Sequence, residues 1–392
     1  MTRRILILLG SIALVLMLAV PMAASCAPAT PEEAREEISA LKSSIDRLEG
    51  DVASKYAEIS NLKAEIAGLR APVEVFEWDV PTWQTSGVVW DGLCFMADYV
   101  ERASDGRLVI IPRRSGEIIP LADQLDAVST GVVEAADLGA PVYSGQIPWG
   151  VMGLNAAGVP RSASELSYLF EMYEDAKLWK LFQENFAKYG DIYLVGYHYW
   201  ESGSMICSRV PIPSIADIKG LKFRSTGHEA AVIEAMGGTT VWAPAEEIYT
   251  LLATGVVDGC TFSNAVDCVA LGIPEVTSYW LREPLMGVLP CADDFIVNGS
   301  VWQALPDDLK SIVELGLRAA SARSHALYGV TNNQAWKAAA DSGIEVVRWS
   351  DEDKAAFSKI DRAYFEASAE EDPSCAEVFD IIKQFALEMG YY

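Results

Sequence analysis

Arg224 closes the strand-like run Gly220-Leu-Lys-Phe-Arg224 and carries the most definite chemistry in the chain. A side chain at a strand end can face a cleft. A planar guanidinium placed there grips a carboxylate through two parallel hydrogen bonds, which lysine does not reproduce. Downstream, Thr261 brings a neutral hydroxyl, Phe262 an apolar wall and Asn264 a polar contact for a ligand hydroxyl or oxo group. Trp83 follows the first strand, and Trp200 opens Glu201-Ser-Gly-Ser204, where Ser202 and Ser204 can donate to a ligand oxygen. Tyr143 and Trp242 add to the aromatic supply that small-molecule clefts use. Core packing is the competing explanation for most tryptophans, as an ordinary turn is for the serines.

Catalytic patterns are missing. There is no Gly-x-Ser-x-Gly, phosphate loop or His-Glu-x-x-His, and His198, His228 and His325 lie far apart. No carboxylate pair stands out for acid–base work, so the expectation is a binding protein and not an enzyme. Cys94, Cys207, Cys260, Cys268, Cys291 and Cys375 form no Cys-x-x-Cys pair and read as small buried thiols.

The elements that must position these residues come in three parts. Arg3 and Arg4 precede an apolar run from Ile5 to Val20, followed by Met22-Ala-Ala-Ser-Cys26. That is an export signal, expected over residues 1–25. A cleaved ordinary signal and an uncleaved anchor are alternatives to lipidation at Cys26, and all three place the remainder outside the cytoplasm. From Pro31 to Arg70, Ile38, Ile45, Val52, Ile59 and Ile66 recur every seven residues beside a second seam of Leu41, Leu48, Leu62 and Leu69. This heptad predicts a coiled-coil stalk within 26–72 and a homo-oligomer, with one amphipathic helix lying on the main domain as the alternative.

Residues 73–392 alternate short apolar strands with helices, which predicts an α/β architecture. Strands are expected at Arg107–Pro112, Asp191–Gly196, Gly220–Arg224 and Gly343–Val347. Helices are expected at Asp91–Ala103, Ser164–Tyr189 and Pro306–Tyr328. The length exceeds what one core usually holds, so two lobes follow. The first is expected over about 73–196 plus 285–325, and the second over 197–284 plus the C-terminal helices. The net charge is −25, from 55 acidic against 30 basic residues, which argues against nucleic acid and anionic lipid as partners. Any anion site in such a chain must be local, because salt screens long-range fields within about 8–10 Å.

Three spaced segments carry a resemblance. They are Ile215-Ala-Asp-Ile-Lys-Gly-Leu-Lys-Phe-Arg224, Glu247-Ile-Tyr249 and Leu251-Leu-Ala-Thr-Gly-Val-Val-Asp-Gly259. Together with Gly106-Arg-Leu-Val-Ile, Leu125-Asp-Ala-Val-Ser-Thr-Gly131, Tyr143, Phe295-Ile-Val-Asn298 and Leu305-Pro306, this pattern resembles the solute-binding receptors of TRAP transporters. The resemblance implies a two-lobed periplasmic-binding-protein-like fold that closes on one ligand. It also implies a membrane permease as partner, a periplasmic or extracellular membrane-face location, and a carboxylate clamp at Arg224.

The nearest branch binds 2-oxo acids and related monocarboxylates. It typically carries Glu-Trp where Thr261-Phe262 stand here, and its Glu helps hold a cation bridging to the substrate. Thr261 brings no charge, so Thr261 and Asp267 are only weak candidates for bridging sodium or calcium, and no other cofactor is expected. A stalked ligand sensor, and a hydrolase or lyase on the same scaffold, are the alternative functions.

Overall fold

The computed structural model describes residues 30–69, 74–85, 87–152, 159–200, 203–284 and 291–391. Cys26 and Ser202 lie outside them. The chain forms two compact units, dividing at Val73 and Glu74.

In the first unit, Pro31–Leu69 is one 39-residue helix. Pro31 takes its first position, and Thr30 and Glu33 close a reciprocal cap, with Thr30 N–H donating to Glu33 Oε2 at 2.8 Å. Its apolar stripe is bare: Ile38, Leu41, Ile45, Leu48, Val52, Ile59 and Leu62 are all exposed. An isolated helix with such a face gains little from burial.

The second unit contains the following strands among the described residues: β1 (Phe76–Pro81), β2 (Leu108–Arg113), β3 (Ala135–Leu138), β4 (Ile192–Trp200), β5 (Met205–Ser208), β6 (Lys222–Arg224), β7 (Thr239–Val241), β8 (Gly259–Phe262), β9 (Tyr279–Glu283), β10 (Cys291–Asn298) and β11 (Glu345–Arg348). In the first lobe β1 and β2 pair in parallel, and β10 lies between β3 and β4, antiparallel to both. A bridge from Thr82 to Asp137 links the two sheets. The second lobe is one six-stranded sheet in the order β11-β9-β5-β8-β6-β7.

Strand alternation sorts the first-lobe core. On β10, Ala292 and Ile296 enter the cluster built around Phe170, Phe182 and Phe186, while Phe295 and Val297 enter the one around Trp78, Met96 and Trp302. The second lobe packs Trp280, Cys207 and Phe262 on one sheet face and Ile206, Phe223 and Trp349 on the other.

The expected α/β elements form, with informative departures. The run expected as one helix over Ser164–Tyr189 is two, Ala163–Glu171 and Lys177–Tyr189, because Glu174, Asp175 and Ala176 all adopt positive φ. The helix expected at Pro306–Tyr328 runs as Asp307–Asp341. Its Leu309, Val313 and Leu317 belong to the first lobe's core, while Ala335, Trp336 and Ala339 belong to the second's. The first crossing between lobes comes after Trp200 rather than near residue 196, since β4 continues pairing with β10 as far as Cys291.

The C-terminal helices do not all join the second lobe. Asp351–Glu371 spans both, with Phe357 in the second lobe's core and Phe365 in the first's. Pro373–Glu388 packs on the first lobe through Val378, Phe379, Ile382 and Phe385. No local sequence pattern says which lobe offers the matching apolar face.

Candidate functional site

Strands β6, β7 and β8 run in parallel, so their carboxyl ends, at Arg224, Val241 and Phe262, reach the same edge of the second lobe. Ligand crevices in open α/β sheets form outside such carboxyl ends. A cavity of about 140 Å³ lies there, between Arg224, Thr261 and Phe262 on one side and Trp83, Trp200 and Asp293 on the other.

Arg224 is buried, at 6% exposure. Its Nε donates to the Ala243 carbonyl at 2.8 Å and its Nη1 to the Thr261 carbonyl at 3.2 Å. These bonds fix the guanidinium plane over Phe262, whose ring centroid is 5.7 Å away. No carboxylate among the described residues forms an ion pair with it, and burial pulls its pKa below the ordinary arginine value. A buried cation with neutral protein partners favours an anion supplied from outside.

Next to it, Thr226, Gly227 and His228 begin the helix Gly227–Ala235 and also line the cavity. Gly227 has φ +54°, which an L side chain adopts only with strain. The first turn presents free N–H groups and the positive end of the helix dipole, which favour a carboxylate. His228 Nε2 lies 3.6 Å from Asp361, whose carboxyl burial raises to about 6. Trp242 is 52% exposed and belongs to the rim.

On the first-lobe wall, Trp83 and Trp200 stand with ring centroids 5.8 Å apart. Behind them Asp137, His198 and Asp293 form a buried cluster. Burial, and then the charge of Asp137, push the Asp293 carboxyl well above the usual range. The Trp83 and Trp200 indoles lean toward it and oppose that rise, without completing hydrogen-bond geometry.

Of the residues expected from sequence, Arg224, Thr261, Phe262, Trp83, Trp200 and Ser204 line the cavity. Tyr143 does not. It is buried, and its hydroxyl donates to the Leu121 carbonyl at 2.7 Å, tying the chain beneath the cleft. Asn264 is a helix cap: its Oδ1 accepts from Asp267 N–H at 3.0 Å and its Nδ2 donates to Asp267 Oδ2 at 2.9 Å.

Asp267 and Thr261 do not combine as cation ligands. Asp267 Oδ2 is also taken by Ser263 at 2.5 Å, and Thr261 Oγ1 pairs with Ser225 Oγ at 2.7 Å. Sequence reasoning missed Asp293, Thr226, His228 and Glu229 as lining residues. The Thr226-Gly227 step before a helix was the available signal for three of them; Asp293 had none.

Comparison with known proteins agrees with this architecture. Residues 81–372 match the family described as bacterial extracellular solute-binding protein, family 7. A monocarboxylate 2-oxoacid-binding periplasmic protein of Nostoc sp. is 24% identical over 311 residues, covering 79% of this chain and 83% of its own length. A TRAP transporter solute-binding protein from Bordetella bronchiseptica, solved with copurified calcium and picolinate, superposes with TM-score 0.73 at 23% identity, covering 81% of this chain and 93% of that one. Another, from Colwellia psychrerythraea with bound calcium and pyruvate, gives TM-score 0.71 at 18% identity over 81% and 95% of the two chains. With three-quarters of its length matched, the chain belongs to family 7 of the bacterial extracellular solute-binding proteins, the TRAP-type receptors, and is a binding protein rather than an enzyme.

Proposed function

We propose that this chain captures a small monocarboxylate, of the 2-oxo acid class, and delivers it to a TRAP-type membrane permease. The observation that carries this is Arg224: a buried guanidinium, held by two backbone carbonyls, with no carboxylate of its own among the described residues. The ligand's carboxylate completes the pair, helped by the first turn of Gly227–Ala235. A cavity of about 140 Å³ favours an acid near benzene in size. The Nostoc relative is named for 2-oxo acids, and the two structural relatives hold picolinate and pyruvate. Lobe closure brings Trp83 and Trp200 against the acid, and the closed shape is what the permease recognises.

The receptor is exported and stands on the outer face of the cytoplasmic membrane, tethered through lipid on Cys26. No described helix is long and apolar enough to cross a membrane. The bare heptad stripe of Pro31–Leu69 pairs with a second copy of the same helix. The two structural relatives carry calcium beside their acids. Thr261 does not fit that role, being uncharged and engaged with Ser225, so Arg224 holds the carboxylate directly.

Calorimetry with 2-oxo acids, hydroxy acids and dicarboxylates tests the reading. Arg224→Ala and Arg224→Lys should each weaken the best acid by tenfold or more, since a hydrogen bond to a charged group is worth about 1.5–3 kcal/mol. Unchanged affinity would remove Arg224 from the site.

A further inference from the structure

The first-lobe wall holds a second constellation that the acid clamp does not use. Asp293 on β10 pairs across the sheet with His198 on β4, and Asp137 on β3 lies opposite Phe295, two residues along. Strand alternation therefore puts all three side chains on one face. Each is at most 1% exposed, and one donor atom from each lies within 4.8 Å of the others. Asp137 Oδ1 and Asp293 Oδ2 are buried without a hydrogen-bond partner, and no lysine or arginine pairs with either carboxylate among the described residues.

His198 is anchored at its far nitrogen: Nε2 lies 2.9 Å from Ser324 Oγ, which in turn lies 3.3 Å from the Val88 carbonyl. Its Nδ1 faces Asp137 Oδ2 at 3.3 Å, and a cation bound there would take the Nδ1 lone pair, with Nε2–H donating to Ser324. A histidine whose far nitrogen is fixed by a hydrogen bond, with the near one turned into a carboxylate cluster, is how proteins present imidazole to a metal. Two carboxylates and a neutral imidazole sum to the charge that one divalent ion cancels.

We propose that Asp137, His198 and Asp293 form a buried divalent-cation site whose open coordination position faces the ligand cavity. One imidazole nitrogen and two carboxylate oxygens suit a borderline ion such as zinc or manganese. Calcium takes six to eight oxygens, and sodium leaves one carboxylate uncompensated. Asp293 itself lines the cavity, so an ion there meets a carboxylate or oxo oxygen from the side opposite Arg224. An ion held by two carboxylates and an imidazole competes with protons for them, so its binding weakens in acid. The ion's contact with the ligand rests on the acid-binding reading above; the ion's own binding does not.

The test is titration of chelator-stripped, full-length protein with zinc or manganese at neutral pH, followed by calorimetry. One ion per chain is expected. Asp137→Asn and Asp293→Asn should each weaken it at least tenfold, while Arg224→Ala keeps the ion and loses the acid. Cys207→Ser should keep the ion too, which separates this cluster from the Cys207–Cys268 pair, whose sulfurs lie 3.7 Å apart. Cobalt(II) in the unmutated protein gives a readout independent of variant folding: d–d bands without thiolate charge transfer are expected. No ion bound, undiminished binding in both Asp variants, or a thiolate band would overturn the site. An ion bound by a protein that takes no acid would uphold the site and overturn the clamp.

Discussion

The two walls of the cleft carry ionisable groups of opposite kind, and the chain assembles them in opposite ways. The second-lobe wall draws Arg224, Thr261 and Phe262 from one continuous run, through the ends of neighbouring parallel strands. Its cation is rigidly held and available. The first-lobe wall draws Asp137, His198 and Asp293 from three strands far apart in sequence, and its anions sit behind two tryptophans. A single buried Arg can await one anion, whereas two adjacent buried carboxylates need a proton or a cation at all times. In the roles proposed above, the second-lobe wall is the clamp and the first-lobe wall the charge reservoir.

That contrast can be broken most forcefully at Gly92, in the helix Gly87–Ala103. A Cβ there would collide with Ser324 Oγ and come within 2.6 Å of His198 Nε2. Gly92→Ala should cost about 1–3 kcal/mol in urea unfolding, the usual penalty of overpacking, and should disturb the ion site while sparing the hydrogen bonds of Arg224. A fully stable variant with unaltered ion binding would show that the first-lobe wall tolerates movement and is no preorganised reservoir.

A smaller effect separates the two faces of β10. Asp294 points away from the cluster, and burial pushes its carboxyl up to about 8 from the ordinary 3.8. The folded state holds this proton more tightly than the unfolded chain. Its contribution is full below about pH 4, declines as pH rises toward 8 and is flat beyond. Asp294→Asn should flatten that decline and raise Tm at pH 8, by roughly 2–4 °C for each kcal/mol recovered. Scanning calorimetry at pH 5 and 8 checks it; parallel declines in both proteins would assign the dependence to other groups.

The smallest effect on affinity should come from the first unit. A chain starting at Glu74 keeps both walls and should bind the acid as the full chain does, yet sediment as a smaller assembly. Identical sedimentation of the two would take self-association away from Pro31–Leu69.

How far the sequence reached follows the same contrast. Arg224 was legible because its wall is one contiguous motif, and a strand followed by Thr226-Gly227 and a helix is a local pattern. The long N-terminal helix was legible from heptad spacing alone. Asp293 was not, because its neighbours are decided by β10 lying between β3 and β4, an order no local pattern encodes. Tyr143 and Asn264 were misplaced for a related reason. Both can contact a ligand by type, but nearby backbone groups at Leu121 and Asp267 already satisfy them. The lobe assignment of Pro373–Glu388 needed knowledge of which apolar face remained uncovered.

The size of the inner cavity sets the scale of affinity for an acid that just fills it. About 140 Å³ admits a molecule of about six non-hydrogen atoms. The best small ligands gain about 1.5 kcal/mol per such atom, so an acid of that size gains at most about 9 kcal/mol, or a dissociation constant of a few tenths of a micromolar. Reaching that ceiling requires nearly every atom of the acid to meet a charge or a ring. On the transport reading proposed above, an acid of that size is held at micromolar strength and let go readily, which suits handing it on rather than storing it.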